Sequence, residues 1–377
     1  MTSGFIRPMW SRHFVGLCLW LAQGAPLHAL SLLTYNAAGN GTTDWSTNSA
    51  QVQAIGRQML HLQPDVVTFQ EIPFTNTWQM ANFVKAYLPG YFLATNSGTD
   101  GFIRSAIASR HPIARSQKWL DGVTLTNFGY SGNFTRDLFE AEINAPGWTQ
   151  PLHVFTTHLK ATNDSDSASR RAAEASAISN FFVNTFLPAN GQRPYVLTGD
   201  LNEDVNRPPG SSRQPIQRLV NPATGLRLTT PVNPVTGQDL TRDIQATLTA
   251  RFDYILPGGL LFSNMATSQV FRTDVLNPVP PPLLQFDDRT ASDHLPVLMV
   301  FTNPFNAPFA LTSINVTNDL ISLSWETTAG RQYDLERSSD LQSWTKLATH
   351  LDATATNLGF STNVAQTMQF FRVYRAP

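Results

Sequence analysis

The sequence predicts an α/β core domain followed by a small all-β module, and three observations carry that expectation. Short apolar runs with polar ends alternate with segments whose apolar residues recur at helical spacing, the pattern of strands and helices interleaved along one chain. The polar ends collect hydrogen-bond acceptors and imidazoles: carboxamides, carboxylates and histidines. Past Pro304-Phe305-Asn306-Ala307-Pro308 the helical spacing stops and only strand-like alternation between turn residues remains.

Taken in order, Met1 to Ala29 reads as a secretory signal. Arg7, Arg12 and His13 precede the apolar stretch Phe14 to Ala22, too short for a comfortable membrane span, and Gln23 to Ala29 supplies the small-residue region. Leu30 to Tyr35 is then a strand running into Asn36. Val52, Ile55, Met59 and Leu60 share a helical face that ends at Pro64. Val66 to Phe69 is a strand tipped by Gln70 and Glu71, and Trp78, Ala81, Val84 and Leu88 mark a second helix stopped by Pro89. Leu138 to Ile143 and Leu152 to Thr157 are strands, the latter running into His158. A helix over Ser169 to Leu187 turns Ala175, Ile178, Phe182 and Phe186 inward. Tyr195 to Thr198 leads into Gly199-Asp200-Leu201-Asn202, Phe252 to Leu256 embeds Asp253, and Asp293-His294 stands before the apolar run Leu295 to Phe301. Arg207 to Leu240 is a long Pro- and Gly-rich loop with a short helix near Gln214 to Val220. The boundaries expected are 1–29 signal, 30–303 core domain, 304–308 linker and 309–377 a β-sandwich-like accessory module.

Six polar strand ends point to one shared rim, where ligands bind in sheets with helical layers. Each has a plain alternative: Asn36 caps a turn, Asp253 pairs with Arg251, His158 is a satisfied rim histidine. It is their conjunction that asks for a chemical explanation, and a metal-assisted phosphoryl-transfer site needs such a set.

The ordered segments Leu33-Thr34-Tyr35-Asn36, Gln70-Glu71, Ser105 to Arg110, Thr157-His158-Leu159, Gly199-Asp200-Leu201-Asn202, Phe252-Asp253-Tyr254 and Ser292-Asp293-His294 resemble the endonuclease/exonuclease/phosphatase superfamily over roughly Leu30 to Asn303. The resemblance implies a deoxyribonuclease I-like four-layer sandwich, two packed β-sheets flanked by helices. It also implies a divalent cation, Mg²⁺ or Mn²⁺, held chiefly by Glu71 with Asn36 and Asp293 close by, as a hard cation prefers oxygen. No Cys/His cluster supports zinc. The scissile phosphate would lie between the cation and two imidazoles, His158 and His294. Asp253 would orient His294, and Asp200, steadied by Asn202, would position or deprotonate water; Asp200 and His294 both stand as candidates for the base. Arg136 and Asn202 are the candidate phosphate contacts, with a salt bridge to Asp137 or Glu140 as the alternative use of Arg136. Two departures stand out. Phe102-Ile103-Arg104-Ser105 offers no acidic partner for His158, and the Trp-Cys pair of inositol-polyphosphate phosphatases is missing around Ala250 to Tyr254.

Composition narrows the rest. Cys18, the sole cysteine, lies in the signal, so the mature protein has no disulfide. The whole chain carries 26 Lys+Arg against 27 Asp+Glu, and residues 30–303 carry 19 against 21. That balance argues against tight nonspecific tracking of nucleic acid, which depends on many Lys/Arg contacts to phosphate. Lys160, Arg170, Arg171, Arg104 and Arg136 remain as a local patch. The expected function is a secreted or periplasmic, divalent-metal-dependent phosphodiester hydrolase acting on DNA or RNA, without a stable membrane anchor. The alternatives are a lipid-headgroup or small-molecule phosphodiesterase or phosphatase, and a noncatalytic surface-binding protein that works through its β module.

Overall fold

The structure, a computed structural model, describes residues 29–40, 44–74, 77–96, 100–191, 193–206, 215–242, 247–306, 309–364 and 369–375. Residues 1–28 of the expected signal lie outside these, as do residues 307 and 308 of the expected linker. The described residues divide into two compact units on either side of the Pro304/Phe305 boundary.

The first unit opens with β1 (Leu30–Asn36), α1 (Ala50–Leu62), β2 (Val66–Pro73), α2 (Thr77–Tyr87), β3 (Phe92–Thr95), β4 (Ile103–Ser109), β5 (Ile113–Trp119), β6 (Leu138–Ile143) and β7 (Leu152–His158). It continues through α3 (Ser165–Phe181), α4 (Leu187–Asn190), β8 (Tyr195–Asp200), α5 (Pro215–Leu219), β9 (Asp253–Pro257), α6 (Gly259–Phe262), β10 (Met265–Val270), α7 (Asp287–Ala291) and β11 (Val297–Phe301). Among the described residues, one six-stranded sheet has the order β10-β11-β1-β2-β4-β3 and one five-stranded sheet the order β5-β6-β7-β8-β9.

Side chains alternate between the two faces of a strand, so a strand covered on both sides must be apolar at successive positions. Leu32, Val66, Val154, Val196, Ile255 and Met299 meet in a core shared by the two sheets. Their neighbours Leu33 and Val67 pack instead with α1 and α2. Phe155, Leu197 and Leu256 pack with α3 and α5. Helix, sheet, sheet, helix: the four-layer arrangement follows from doubly buried strands.

Two helical faces differ from expectation. On α2 Ala81 is exposed, while Met80, Phe83, Val84 and Leu88 are buried, because the larger side chains claim the core and rotate the helix by about one residue. On α1 Leu60 is exposed and Gln58 takes an inward place, bonding Tyr35 Oη and the Asp287 carbonyl. The α3 helix begins at Ser165, four residues before the expected start, because Asp164 caps it by accepting from Ser167 N at 2.9 Å. One π-helical turn, Phe182–Phe186, continues it with Phe182 and Phe186 inward as the sequence predicts.

The second unit contains β12 (Leu311–Thr317), β13 (Leu320–Glu326), β14 (Gln332–Ser338), β15 (Thr345–Asp352), β16 (Asn357–Asn363) and β17 (Phe370–Arg375) in two three-stranded sheets, β12-β13-β16 and β15-β14-β17. Trp325 and Tyr333 lie in its core, and Trp344 is stacked by the Arg372 guanidinium at 4.2 Å. Among the described residues no helix is long and apolar enough to cross a membrane.

Candidate active site

Strand direction gathers the polar ends. β1 and β2 are parallel, as are β7 and β8, so Asn36, Glu71, His158 and Asp200 end on one side. Antiparallel β9 starts there, with Asp253 opposite Asp200, and antiparallel β11 starts there just after His294. Two glycines allow close approach. A Cβ on Gly199, whose φ is +134°, would lie 1.9 Å from the Thr157 carbonyl, and one on Gly39 would lie 2.1 Å from the Glu71 carbonyl. Glu71 itself sits in a β-bulge between Phe69 and Ile72 with φ 58°, which lifts it out of the ladder toward the rim. Beneath the rim a buried polar seam joins the sheets: Thr68 and Thr198 hydroxyls are 2.9 Å apart, and Gln70 Nε2 donates to Thr156 Oγ1 at 2.9 Å.

Asp200 is the centre of the cluster. Its Oδ2 accepts from Asn36 Nδ2 at 2.9 Å and lies 3.5 Å from His158 Nε2 and 3.6 Å from His294 Nε2. Asn36 Nδ2 also reaches Glu71 Oε1 at 3.1 Å, and that oxygen is 3.8 Å from His158 Nε2. On the far side His294 Nδ1 pairs with Asp253 Oδ2 at 2.7 Å, and the same oxygen accepts from Thr241 Oγ1 at 2.7 Å. Ser292 holds the approach: its hydroxyl donates to the Asn36 carbonyl and accepts from His294 N.

The electrostatics separate the two imidazoles. His158 is buried, neither ring nitrogen has a hydrogen-bond partner among the described residues, and burial with the nearby Arg136 and His294 charges holds it well below the usual histidine range, so it is neutral. Burial also pulls His294 down, but Asp253 and Asp200 outweigh it and push it up to about 9. Asp200 is pushed up to about 7 by burial, opposed by the His294 charge.

The donor set fits a hard cation. Glu71, His158 and Asp200 each offer a ligand atom within 4.8 Å of the others, and so do Asp200, Asp253 and His294. Glu71 and Asp200 supply carboxylates, and Asn36 adds an amide oxygen if the group turns over, since Oδ1 now accepts from Ala38 N. Asp293, expected beside the cation, belongs to neither group: it is 45% exposed and its Oδ2 is 2.8 Å from Arg242 Nη2. Asp293 lies at a bend before β11, and its side chain turns to Arg242 while that of His294 turns to Asp253 and Asp200.

The expected phosphate contacts need correction. Arg136 is turned inward, with Nη1 on the His158 and Leu159 carbonyls and Nη2 on Asp100. Its pairing with Asp137 or Glu140 is not formed either. Asn202, at φ 49°, donates its backbone N–H to Asp200 Oδ1 and Nδ2 to the Leu159 carbonyl. Arg171 is buried on the Lys160 and Thr162 carbonyls, Arg104 lies over Phe74, and Arg170 donates to the Asn133 carbonyl. The basic patch is therefore mostly folded into the protein.

Sequence reasoning missed Thr241, which had no motif to announce it, and the buried pair Asn96 and Asp137, in which Asn96 Nδ2 faces both carboxylate oxygens at 2.7 Å. Burial and the Asp121 charge push Asp137 up to about 7. The folded state thus holds that proton more tightly than the unfolded chain, so stability from this group is present near pH 4 and lost as pH rises toward about 7. Asp137→Asn should flatten this part of the curve, measured as urea midpoints from pH 4 to 7.5; parallel curves for the two proteins would dismiss the effect.

A double sheet flanked by helices, with carboxylates and imidazoles from both halves gathered on one rim, is the deoxyribonuclease I-like class of fold. The chain belongs to the endonuclease/exonuclease/phosphatase family, whose model matches residues 33–294 and whose members typically hydrolyse phosphoric esters. No curated protein matches it. Among solved structures it is similar to an endonuclease/exonuclease/phosphatase from Bacteroides vulgatus, at 16% identity and TM-score 0.51 over 73% of this chain and 99% of that one. It is also similar to a humanized D. rerio TDP2, at 17% and 0.50 over 73% and 99%. A functionally unknown conserved protein from Enterococcus faecalis V583 aligns at 16% and 0.51 over 72% and 100%. At these identities the likeness is one of fold.

Proposed function

We propose that the chain is a secreted, divalent-metal-dependent phosphodiester hydrolase that cleaves nucleic acid. The observation that carries this is the single cluster formed by Asn36, Glu71, His158, Asp200, Asp253 and His294 at the shared rim. A bound Mg²⁺ or Mn²⁺ would supply Lewis-acid polarisation of the phosphoryl group. Glu71, with Asn36, would hold it. Neutral His158 keeps an N–H to donate to a phosphoryl oxygen. His294, kept protonated by Asp253 and Asp200, would stabilise the negative charge that grows in the transition state. That leaves Asp200 as the group able to accept the proton of attacking water, so the choice of base falls on it.

The inward arginines bear on substrate. Among the described residues few cations remain free at the rim, so binding to duplex DNA should show a salt slope no larger than about two, at about 0.9 per phosphate neutralised. The same sparseness favours a second reading, a small-molecule or lipid-headgroup diester. Duplex DNA, single-stranded DNA, RNA, sphingomyelin and a generic diester, each assayed with and without Mg²⁺, separate the two. Hydrolysis of lipid or generic diester with none of DNA or RNA would replace the nuclease assignment, and a slope near ten would mean a basic surface at the rim after all.

A further inference from the structure

We infer that Arg136 is a positioning residue, a bracket that fixes the backbone carrying His158 from across the sheet rim, and not a phosphate anchor; this rests on the hydrolase function proposed above. Nη1 donates to the His158 and Leu159 carbonyls, both at 3.0 Å, and Nη2 lies 3.1 Å from Asp100 Oδ2, with the side chain only 12% exposed. Asp100 holds the entry to β4, its Oδ1 accepting from Phe102 N at 3.0 Å and Ile103 N at 3.3 Å. A continuous tie thus runs from β4 of one sheet through Asp100 and Arg136 to the turn after β7 of the other. Leu159 is gripped from further sides: Asn202 Nδ2 donates to its carbonyl at 3.1 Å, and its own N–H donates to the Asp200 carbonyl at 3.1 Å. Next along, Lys160 N donates to Glu174 Oε2 at 2.9 Å.

The chemistry of the two side chains explains the need. Among the described residues neither ring nitrogen of His158 has a hydrogen bond to hold it, so its aim depends on where its backbone sits. A guanidinium presents its donors in a planar fork, which suits two adjacent carbonyls and a carboxylate at once. Turning that fork toward a phosphate would remove all three contacts together.

Arg136→Gln, Arg136→Lys and Asp100→Asn distinguish bracket from anchor, with kcat and KM measured on a short duplex DNA in Mg²⁺ across a salt series. Amide hydrogen exchange at Leu159 and Lys160 is followed without substrate. For a bracket, kcat falls roughly 10- to 100-fold in Arg136→Gln. KM and the salt slope stay as in wild type, and Asp100→Asn loses kcat in the same direction. The double variant Asp100→Asn/Arg136→Gln is no worse than Arg136→Gln alone, and exchange at both amides speeds up. Arg136→Lys, which keeps the charge without the fork, also loses kcat and covers the case in which the glutamine variant does not fold. A raised KM with a salt slope smaller by about 0.9, or an unchanged kcat in Asp100→Asn, overturns the bracket in favour of an anchor. A wild type that cleaves no phosphodiester ends the proposed function instead, and exchange alone then decides: unchanged rates at Leu159 and Lys160 overturn the bracket.

Discussion

Excess chelator should abolish hydrolysis, and Mg²⁺ or Mn²⁺ should restore it, because Glu71 and Asp200 place two carboxylates on the one Asn36 amide, with His158 beside them as a third ligand. Glu71→Ala should raise the metal concentration needed for half-maximal rate roughly 100-fold or more, exceeding the effect of losing an outer-shell partner. Asp293→Ala should matter far less, since that carboxylate faces Arg242. The pair of titrations tests the ligand assignment internally. Full wild-type activity in chelator, or equal metal shifts in the two variants, would contradict it.

The second large effect belongs to His294. Its replacement by alanine should lower kcat by roughly 10² to 10⁴, the range for general acid-base or electrostatic groups. Asp253→Asn should have a smaller effect with a distinct signature. In the wild type the rate should rise as Asp200 ionises, below the value of about 7 it has without a cation beside it, and should fall as His294 loses its proton near pH 9. Removing the Asp253 charge lets the His294 proton leave more easily, so the alkaline limb should move to lower pH. A pH profile of kcat measured at saturating metal decides this; an alkaline limb that stays in place would show that Asp253 does not act through His294.

The strands that lead to the site were legible because each had to be apolar on both faces, a requirement that writes an unbroken run ending in a polar tip, whereas the largely exposed β3, β5 and β10 carry no such run. Leu30 to Tyr35 followed by Asn36 is the plainest case, and β1 ends there. Helical faces were less legible where small residues shared the period: Ala81 fits the inward stripe as well as Phe83 does, and only packing against β2 distinguishes them. At the site, residues in ordered motifs came together, while direction did not follow from order. A sequence cannot say that Asp293 faces solvent when His294 faces the cluster, nor that Arg136 and Arg171 spend their charge on carbonyls inside the fold. Thr241 could not be found at all, for its contact with Asp253 depends on a loop that returns to β9 with no pattern of its own.

The polar seam beneath the rim has an architectural consequence. Thr68 meets Thr198, and Gln70 meets Thr156, directly below the strand ends that present Glu71, His158 and Asp200. Bonds of this kind fix how far one sheet slides against the other, so the spacing between the two halves of the cluster is inherited from the framework. The loops around it are then replaceable parts. Exposed segments around the rim could be exchanged or lengthened to recognise another phosphoric ester while the reacting groups stay where they are. A fold built this way is a chassis on which specificity is refitted at the periphery, with the chemistry left untouched.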